Sequence, residues 1–454
     1  MKAIILGAGE LGRLIASTLC AENYDVVVID SSSENFERLK EKLDLMVIEG
    51  SCSDVAVLKQ AGIQNCDALL AVSGDEAANI VACKIASKFG VKKTICRFYS
   101  LDCFSPADGI TPDFFGIWRA FSPPEQCVRK ISDILDNPVC LEKIQFTNPD
   151  ALMEVVSITP SSILAGIRIK DIPITELLTK IRFAAIVRDR HFLIPHGDTL
   201  LVPGDKVYVA GKRHDVEDFL ELISPTDRTR ILRVIISGAT ETGYMLAQNL
   251  LKERIEVRFI EKNYQKGESL LDSMPQGMLV INGDPTDEEV MEEAGIQNCD
   301  AFISTADDDE ENILACIMAK RLGARKSVTI THKPEYIRIV PAMEMIDCGI
   351  SSTLVSVNTI LRMLETGTMR IDAKLQRFHA HLTEFTVSAK SPLAGKTIIN
   401  CKLPPSVVFA LLFRGADVIT PSGNTELIPG DVVVAIVTPE SRKDLETAFP
   451  EMNR

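Results

Sequence analysis

The stretch Leu6-Gly7-Ala8-Gly9-Glu10-Leu11-Gly12 follows a short apolar run, residues 2–6, and precedes an apolar helical pattern. This order predicts a buried strand, a tight glycine turn and a helix. Gly7 permits the turn, Gly9 lets a pyrophosphate approach the backbone, and Gly12 lets the helix pack closely on the strand. The helix N-terminus offers N–H donors and a positive dipole to phosphate. The turn therefore predicts a nucleotide site; a turn that only packs is the alternative.

Asp30 ends the next predicted strand, residues 25–29. A carboxylate at this place accepts hydrogen bonds from both hydroxyls of an adenosine ribose and repels a 2′-phosphate. The pair of glycine turn and acid therefore favours NAD or an adenine nucleotide over NADP.

Composition and charge exclude several classes of protein. The chain has 454 residues, of which 46% are hydrophobic and 25% charged, which is typical of a soluble globular protein of about two to four domains. Its formal net charge of −14 argues against nucleic acid and anionic lipid as partners and favours a partner with a basic face. The apolar runs are too short to span a membrane, and 12 cysteines without a C-x-x-C pair indicate reduced thiols in a cytosol.

Strand-like and helix-like runs alternate as far as Arg97, which predicts a doubly wound parallel sheet. Ser73-Gly74-Asp75-Glu76 has the form of a capping box, so a helix is expected over residues 76–89. Arg97 ends the fifth strand, where a phosphate can reach it. A further helix, from Ser122 to about residue 135, leads into a region of short β-like runs, which predicts a small β-rich domain.

The sequence then repeats. Residues 61–68 recur unchanged as residues 294–301, and the turns of the small domain recur as well. The chain is therefore a tandem duplication, and we expect extensive contacts between its halves and self-association. The predicted domains are a first large domain (1–140), a first small domain (141–225), a second large domain (230–367) and a second small domain (372–454).

The second large domain has its own candidate nucleotide residues, which are Gly238, Thr240, Glu241, Thr242 and Glu261. Thr240 replaces the middle glycine, and its Cβ takes space that a pyrophosphate needs. Glu261 stands where Asp30 stands and is able to hold a ribose, but Arg97 aligns with Ile330. The second site is expected to be altered or weaker, and both nucleotide binding and a role in packing alone stay open.

A dehydrogenase needs a group that moves a proton beside the nicotinamide. The chain has six histidines, none of them in the first large domain, and His191 and His196 fall in a turn-rich hairpin typical of a surface. Tyr208 and Lys212 have the spacing of a dehydrogenase pair but lie in a strand pattern. The acidic run 307–311 is expected to complement a helix dipole rather than to bind metal. We therefore predict neither catalytic residues nor a metal site.

These motifs, in the order large, small, large, small, resemble the TrkA family of NAD-binding regulatory subunits of bacterial Trk potassium-uptake systems, which contain two tandem RCK (KTN) units. The motifs that carry the resemblance are Gly7 to Gly12, Asp30, residues 73–79, residues 309–313 and residues 391–396. The resemblance implies two Rossmann-like α/β domains, each followed by a small β-rich α+β domain. It also implies a non-catalytic cytoplasmic protein that binds NAD⁺, NADH, ADP or ATP, forms a homo-oligomeric gating ring and docks on a TrkH-type channel subunit at the cytosolic face of the inner membrane.

The resemblance also implies a set of ligand residues in the first large domain. By the match they are Gly7, Gly9, Glu10, Leu11, Asp30, Ser31, Gly50, Ser51, Val72, Ser73, Glu76 and Arg97, and Ala8 and Gly12 complete the turn. The chain departs from the family pattern at Thr240 and in the proline-rich aromatic segment 98–115, which leaves the second site's ligand and part of the contact between subunits open. An NAD-dependent oxidoreductase and an RCK regulator of another transporter or antiporter are the alternative functions.

Overall fold

A computed structural model gives the structure of the protein. It describes the chain apart from short stretches, which are residues 22–23, 33, 35, 37–38, 40–44, 137–139, 147, 161, 174, 190, 224–230, 274–277, 337–344, 365–368, 376–379, 405–406 and 438–454. Among the described residues, no helix combines the length and apolar character that crossing a membrane requires.

The first large domain contains a six-stranded parallel sheet in the order β3-β2-β1-β4-β5-β6. Its strands are β1 (Lys2–Leu6), β2 (Asp25–Asp30), β3 (Met46–Glu49), β4 (Ala68–Ala71), β5 (Lys93–Arg97) and β6 (Arg119–Phe121). Since β1 lies between β2 and β4, the strand order reverses at β1, and ligands of such sheets bind beside this point at the carboxyl ends of the strands. The predicted doubly wound parallel sheet is confirmed.

Among the described residues, the helices that accompany this sheet are α1 (Glu10–Ala21), α2 (Val55–Gln60), α3 (Glu76–Lys88) and α4 (Pro123–Asp136). Helix α1 buries Ile15, Ala16 and Leu19, whose spacing places them on one face. Segment 98–115 forms three short 3₁₀ turns, and the rings of Phe98 and Phe104 pack edge to face with 5.0 Å between their centroids.

The first small domain is a five-stranded antiparallel sheet in the order β10-β9-β11-β8-β7, and its described part also contains two helices. Its elements are β7 (Cys140–Gln145), β8 (Ala151–Ser157), α5 (Thr175–Leu178), β9 (Ile181–Arg188), β10 (His191–Leu193), β11 (Lys206–Lys212) and α6 (Arg213–Ile223). The Arg188 guanidinium donates two hydrogen bonds of 2.7 Å to the buried Asp205 carboxylate, which ties the β9 end to the following turn.

The second large domain repeats the first, with a parallel sheet in the order β14-β13-β12-β15-β16-β17. Its elements are β12 (Arg233–Ser237), α7 (Glu241–Lys252), β13 (Glu256–Glu261), α8 (Tyr264–Ser273), β14 (Leu279–Asn282), α9 (Glu288–Glu293), β15 (Ala301–Ser304), α10 (Asp309–Arg321), β16 (Lys326–Thr331), β17 (Cys348–Ser351) and α11 (Ser352–Leu364).

The second small domain is antiparallel with the order β18-β19-β22-β20-β21. Its strands are β18 (Met369–Leu375), β19 (Ala380–Thr386), β20 (Val407–Arg414), β21 (Asp417–Ile419) and β22 (Val432–Val437). Arg414 and Asp431 repeat the bidentate pair of the first small domain, with both hydrogen bonds at 2.9 Å. The repeat therefore extends to single side-chain contacts.

The halves of the chain pair domain with domain in two compact units. One unit consists of Met1–Arg129 and Ile231–Leu364, and the other consists of Lys130–Arg230 and Glu365–Arg454. In the first unit, α11 of the second half packs on α1 of the first half. In the second unit, the two antiparallel sheets share one apolar core, and Thr420 Oγ1 donates to the Lys180 carbonyl at 2.6 Å. The expected contacts between the halves are confirmed within each unit.

Candidate nucleotide-binding site

The first glycine turn leaves β1 with the geometry that its three glycines predict. Gly7 has φ 104°, a region that favours glycine, and a Cβ there would lie 2.8 Å from Ser73 Cα. A Cβ at Gly12 would lie 1.8 Å from the Gly7 carbonyl oxygen. A Cβ at Gly9 would meet nothing within 4 Å. The outer glycines are required for packing, whereas the middle one borders open space that a phosphate is able to fill.

Asp30 lies at the carboxyl end of β2, and two backbone groups fix its side chain. Oδ2 accepts the N–H of Ala8 at 2.6 Å, and Oδ1 accepts the N–H of Ser32 at 2.9 Å. Each carboxylate oxygen has a further lone pair. The carboxylate is thus held in place with capacity left for two ribose hydroxyls.

A cavity of about 740 Å³ opens over this turn, within the range of about 300–1,000 Å³ that is usual for ligand pockets. Predicted site residues that line it are Gly7, Gly9, Glu10, Leu11, Gly12, Asp30, Ser31, Ser51, Val72, Ser73 and Arg97. They come from the carboxyl ends of β1, β2, β4 and β5, from the first turn of α1 and from the segments that follow β2 and β3. The sheet edge therefore brings most of the predicted set together.

Three predicted residues are not among those that line the cavity. The backbone N–H of Ala8 supports Asp30, as described above. The N–H of Gly50 donates to the Asp30 carbonyl at 2.9 Å, and a Cβ on Gly50 would lie 2.6 Å from a Val57 methyl group. The carboxylate of Glu76 accepts the N–H of Tyr99. In this structure the three residues shape the site, and their contact with a ligand stays a prediction.

The predicted capping box at Ser73 is wrong. Asp75 is the N-cap of α3, and its side chain accepts the N–H of Ala78 at 2.9 Å. The Ser73 hydroxyl instead donates to the side-chain oxygen of the buried Asn79 at 2.7 Å. Because the Ser73 hydroxyl is bound to Asn79, the Asp75 carboxylate caps the helix instead.

The cavity also contains residues that the sequence analysis missed. Those of the first half are Cys52, Gly74, Asp75, Ala78 and Pro123, and those of the second half are His332, Ser352, Thr353 and Ser356. Burial, with the Asp30 and Asp75 carboxylates, raises the pKa of the Cys52 thiol to about 11, so this cysteine is a neutral thiol at neutral pH. The missed residues of the second half had no signal in the sequence of the first.

His332 is held in the cavity by the buried carboxylate of Asp309. The backbone N–H of His332 donates to Asp309 Oδ1 at 2.8 Å, and the ring Nδ1 lies 3.0 Å from the same oxygen. Burial raises the pKa of Asp309, but the hydrogen bonds from the His332 ring and from two backbone N–H groups outweigh burial and lower it below its ordinary value. The Thr353 hydroxyl donates to the His332 carbonyl at 2.6 Å, which ties this residue to α11.

The second glycine turn has a crevice of about 130 Å³. Predicted residues that line it are Gly238, Thr240 and Glu261, whereas Glu241 and Thr242 are not among the lining residues. The Thr240 hydroxyl caps α7, accepting the N–H of Gly243 at 3.3 Å, and donates to the Thr305 carbonyl at 2.9 Å. The Thr240 side chain thus binds the backbone N–H of Gly243. In nucleotide sites of this fold, such an N–H group at the helix start faces a phosphate.

Glu261 repeats the contacts of Asp30 at the end of β13. Its carboxylate accepts the N–H of Ala239 at 2.6 Å and the N–H of Asn263 at 2.8 Å. However, Glu261 is only 7% exposed. Two lysines at this crevice are paired with acids, since Lys262 binds Glu311 and Lys266 Nζ lies 3.7 Å from Asp307. The Glu261 carboxylate therefore has the backbone contacts of Asp30 but is largely buried.

At the position of Arg97, the second half of the chain has Ile330. Arg97 lies over the Tyr99 ring, 5.1 Å from its centroid, and lines the first cavity. The pairing of the strands confirms that Ile330 aligns with Arg97. In the first half, Cys96 is the last residue of β5 that pairs with β4, and Arg97 follows it. In the second half, Thr329 is the last residue of β16 that pairs with β15, and Ile330 follows it.

Family models match both halves. The TrkA-N domain matches residues 3–102 and 234–351, and the TrkA-C domain matches residues 153–224 and 382–449. The chain belongs to the TrkA family. The predicted family and the tandem order of large and small domains are confirmed.

Relatives of this TrkA-family chain match it along its length. It is similar to Trk system potassium uptake protein TrkA homolog 1 of Methanosarcina mazei, with 31% identity over 99% of this chain and 100% of that protein. It is also similar to Trk system potassium uptake protein TrkA of Vibrio alginolyticus, with 27% identity over 99% and 98% of the two chains.

Solved structures share the fold. The GsuK RCK domain matches with a TM-score of 0.62 and 18% identity, covering 99% of this chain and 95% of that chain. The GsuK channel bound to NAD matches with a TM-score of 0.60 and 19% identity, covering 99% and 79%. The TrkA-N and TrkA-C pairs of this chain therefore have the RCK fold.

The other residues considered for catalysis or metal binding lie in ordinary structural positions. Tyr208 and Lys212 are both in strand β11, as expected, and His191 and His196 are exposed. Of the six histidines of the chain, His379 lies outside the described residues. In the acidic run, Asp308 caps α10 and accepts the N–H of Glu311 at 2.8 Å, which confirms the predicted helix start.

Proposed function

We propose that this TrkA-family chain is the nucleotide-sensing regulatory subunit of a potassium-uptake system. The first crevice carries the proposal, because it combines an open middle glycine, a fixed carboxylate and an accessible cation in one cavity of about 740 Å³. Gly9 has no side chain that could cap α1, so the N–H groups at its start are available to a pyrophosphate.

The ligand is an adenine nucleotide: NAD⁺, NADH, ADP or ATP. Asp30 holds the adenosine ribose, and the turn from Gly7 to Gly12 holds the first phosphates, which these nucleotides share. Neither feature chooses between a dinucleotide and a triphosphate, so the choice depends on the distal part of the cavity. The similar GsuK channel has been solved bound to NAD, which supports a dinucleotide as one of the ligands.

The subunit acts from the cytoplasm, docks on a TrkH-type membrane subunit and assembles with further copies into a ring. The names of the relatives support potassium uptake as the process, and the net charge of −14 suits a docking partner with a basic face. Bound nucleotide shifts such an assembly only through different affinities for its arrangements. NADH and ATP therefore gate in different senses if they favour different arrangements.

A second candidate function is a dehydrogenase, favoured by the carboxylate-held His332 beside the cavity. Incubating the protein with NADH and a panel of aldehydes and ketones separates the two functions. A regulatory subunit leaves the ultraviolet absorbance of NADH unchanged. Oxidation of NADH that depends on substrate and is lost in His332→Ala contradicts the regulatory function.

The binding proposal is tested by titrating purified protein with NADH and with ATP. Each nucleotide is expected to displace the other, and Asp30→Ala is expected to weaken both. Glu261→Ala is the matched control, because Glu261 makes the same two backbone contacts in the second half. Equal titrations for wild type and Asp30→Ala contradict the assignment of the site.

The partner is tested by co-expression of this chain with candidate membrane subunits, which are a TrkH-type subunit and an antiporter. Co-purification with a TrkH-type subunit supports potassium uptake, whereas co-purification with an antiporter assigns the chain to a different transporter. The mass of the isolated protein in solution, measured by light scattering, tests the assembly, and a monomer contradicts it.

A further inference from the structure

One face of the first parallel sheet is completed by a helix from the other half of the chain. Helix α11 buries Val357, Ile360 and Leu364 in the apolar core that contains Ile5 and Leu70 of β1 and β4. It contacts α1 and β5. Since β4 and β5 lie on the opposite side of β1 from β2, α11 covers the part of the sheet that is remote from Asp30.

The end of α11 brings polar groups of the second half to the cavity of the first. Ser352, Thr353 and Ser356 line the cavity together with His332, the first residue after β16. At the other end of α11, Lys93 Nζ donates to the Leu364 carbonyl at 2.6 Å. The helix is thus fixed to β5, and the first crevice is built from both halves of the chain.

The imidazole of His332 is oriented before any ligand binds. An ionised carboxylate only accepts hydrogen bonds, so the ring donates to Asp309 from Nδ1. Asp309 is itself fixed, because it also accepts the N–H groups of His332 and Lys333 at 2.8 Å. Nε2 is then the ring nitrogen that is left for a ligand, and the side chain of His332 is 48% exposed.

We propose that His332 is a specificity-determining residue of the first nucleotide site, and that it contacts the second ribose of a dinucleotide. This inference rests on the proposed function, since it assigns the distal part of the same site. A nucleotide whose adenosine ribose binds Asp30 crosses the sheet edge from β2 past β1 toward β4 and β5. Adjacent strands are about 4.8 Å apart, so three strand spacings span about 14 Å and place the far end of the ligand beneath α11.

The hydrogen-bonding capacity of Nε2 favours a ribose over a terminal phosphate. A ribose hydroxyl both donates and accepts, so it pairs with Nε2 whether or not that nitrogen carries a proton. A phosphate pairs with Nε2 only when the ring is protonated. The contact joins the ligand to the second half of the chain, which is what a nucleotide needs in order to act on the arrangement of the two halves.

The test compares NADH with ADP, which has the adenosine and the first phosphates but lacks the second ribose. Dissociation constants are measured for the full chain by calorimetry. His332→Ala is expected to weaken NADH about fivefold, the loss of one ordinary hydrogen bond, and to leave ADP unchanged. His214→Ala is the matched control, because this exposed histidine on α6 is likewise held by a carboxylate, Asp218, at 3.0 Å.

Asp309→Asn is a second variant that keeps the imidazole but changes the group that orients it, and a smaller loss for NADH alone is expected. Circular dichroism shows whether either variant is folded. Equal losses for NADH and ADP, or no loss in folded His332→Ala, overturn the role of His332. If wild type binds neither NADH nor ADP, the proposed nucleotide site itself is wrong, and that result is separate from a failure of this inference.

Discussion

The two glycine turns of this chain have the same fold and differ in what they leave open. In both, a carboxylate at the end of the second strand accepts two backbone N–H groups, and the donors occupy matching positions. In the first, Gly9 borders a cavity of about 740 Å³. In the second, Thr240 caps α7, Ile330 replaces the cation, and the crevice measures about 130 Å³.

This difference shows that the strand, turn and helix are not sufficient for a binding site. The Thr240 cap stabilises α7 by satisfying an N–H within the protein, which removes the N–H from a ligand. A glycine at the same position leaves that group unsatisfied until an anion arrives. We infer that the first half contains the nucleotide site. The second half has the same fold, and it supplies α11 and His332 to the site of the first half.

The largest effect is expected from Gly9→Thr, which gives the first turn the residue of the second. The added Cβ has space within the protein, so the fold is preserved. Loss of about two charge-assisted hydrogen bonds to the pyrophosphate, at about 1.5 kcal/mol each, weakens NADH and ATP by at least about a hundredfold. Calorimetry measures the change, and a thermal unfolding scan checks stability. Unchanged binding would show that the ligand does not approach this turn.

A smaller effect is expected from Arg97→Ile, which copies Ile330 into the first half. Arg97 is available to phosphate beyond the pyrophosphate, so ATP is expected to weaken about tenfold and NADH less. The loss for ATP shrinks at high salt, since screening weakens the wild-type contact. Arg119→Ile, at an exposed arginine on β6, is the control. An equal effect of both substitutions would mean that general charge, rather than a contact, matters.

The smallest effect is expected from Thr240→Gly, which opens the second turn. A threonine N-cap replaced by glycine costs only a few tenths of a kcal/mol, so the melting temperature changes by about 1 °C or less. No second nucleotide binds, because Glu261 stays buried and Lys262 stays paired with Glu311. A second binding event in the calorimeter would show that Thr240 alone closes the second crevice.

Much of the fold follows from local rules, which is why the sequence predicted it. The glycine turn, the acid at Asp30 and the alternation of strands and helices require only neighbouring residues to agree. The internal repeat also aligned Arg97 with Ile330, and the pairing of the strands confirms this alignment. Together with the resemblance to the TrkA family, these features predicted more than half of the residues that line the first cavity.

The rest depends on contacts between residues that are distant in sequence. The contact of Glu76 with a ligand stays a prediction, and the sequence did not show that its carboxylate accepts the N–H of Tyr99. Asp309 accepts the N–H of His332 in the corresponding way. The first large domain contains no histidine, yet His332 of the second half lines its cavity, where Thr353 of α11 donates to the His332 carbonyl. The residue pattern within one half of the sequence does not show which residues of the other half contact it.

The stoichiometry of NADH binding tests the central claim most directly. Calorimetric titration of the full chain, at protein concentrations well above the dissociation constant, counts the nucleotides that each chain binds. The account requires one NADH per chain, lost in Gly9→Thr and kept in Glu261→Ala. Two NADH molecules per chain, or one that is lost in Glu261→Ala and kept in Gly9→Thr, would contradict it.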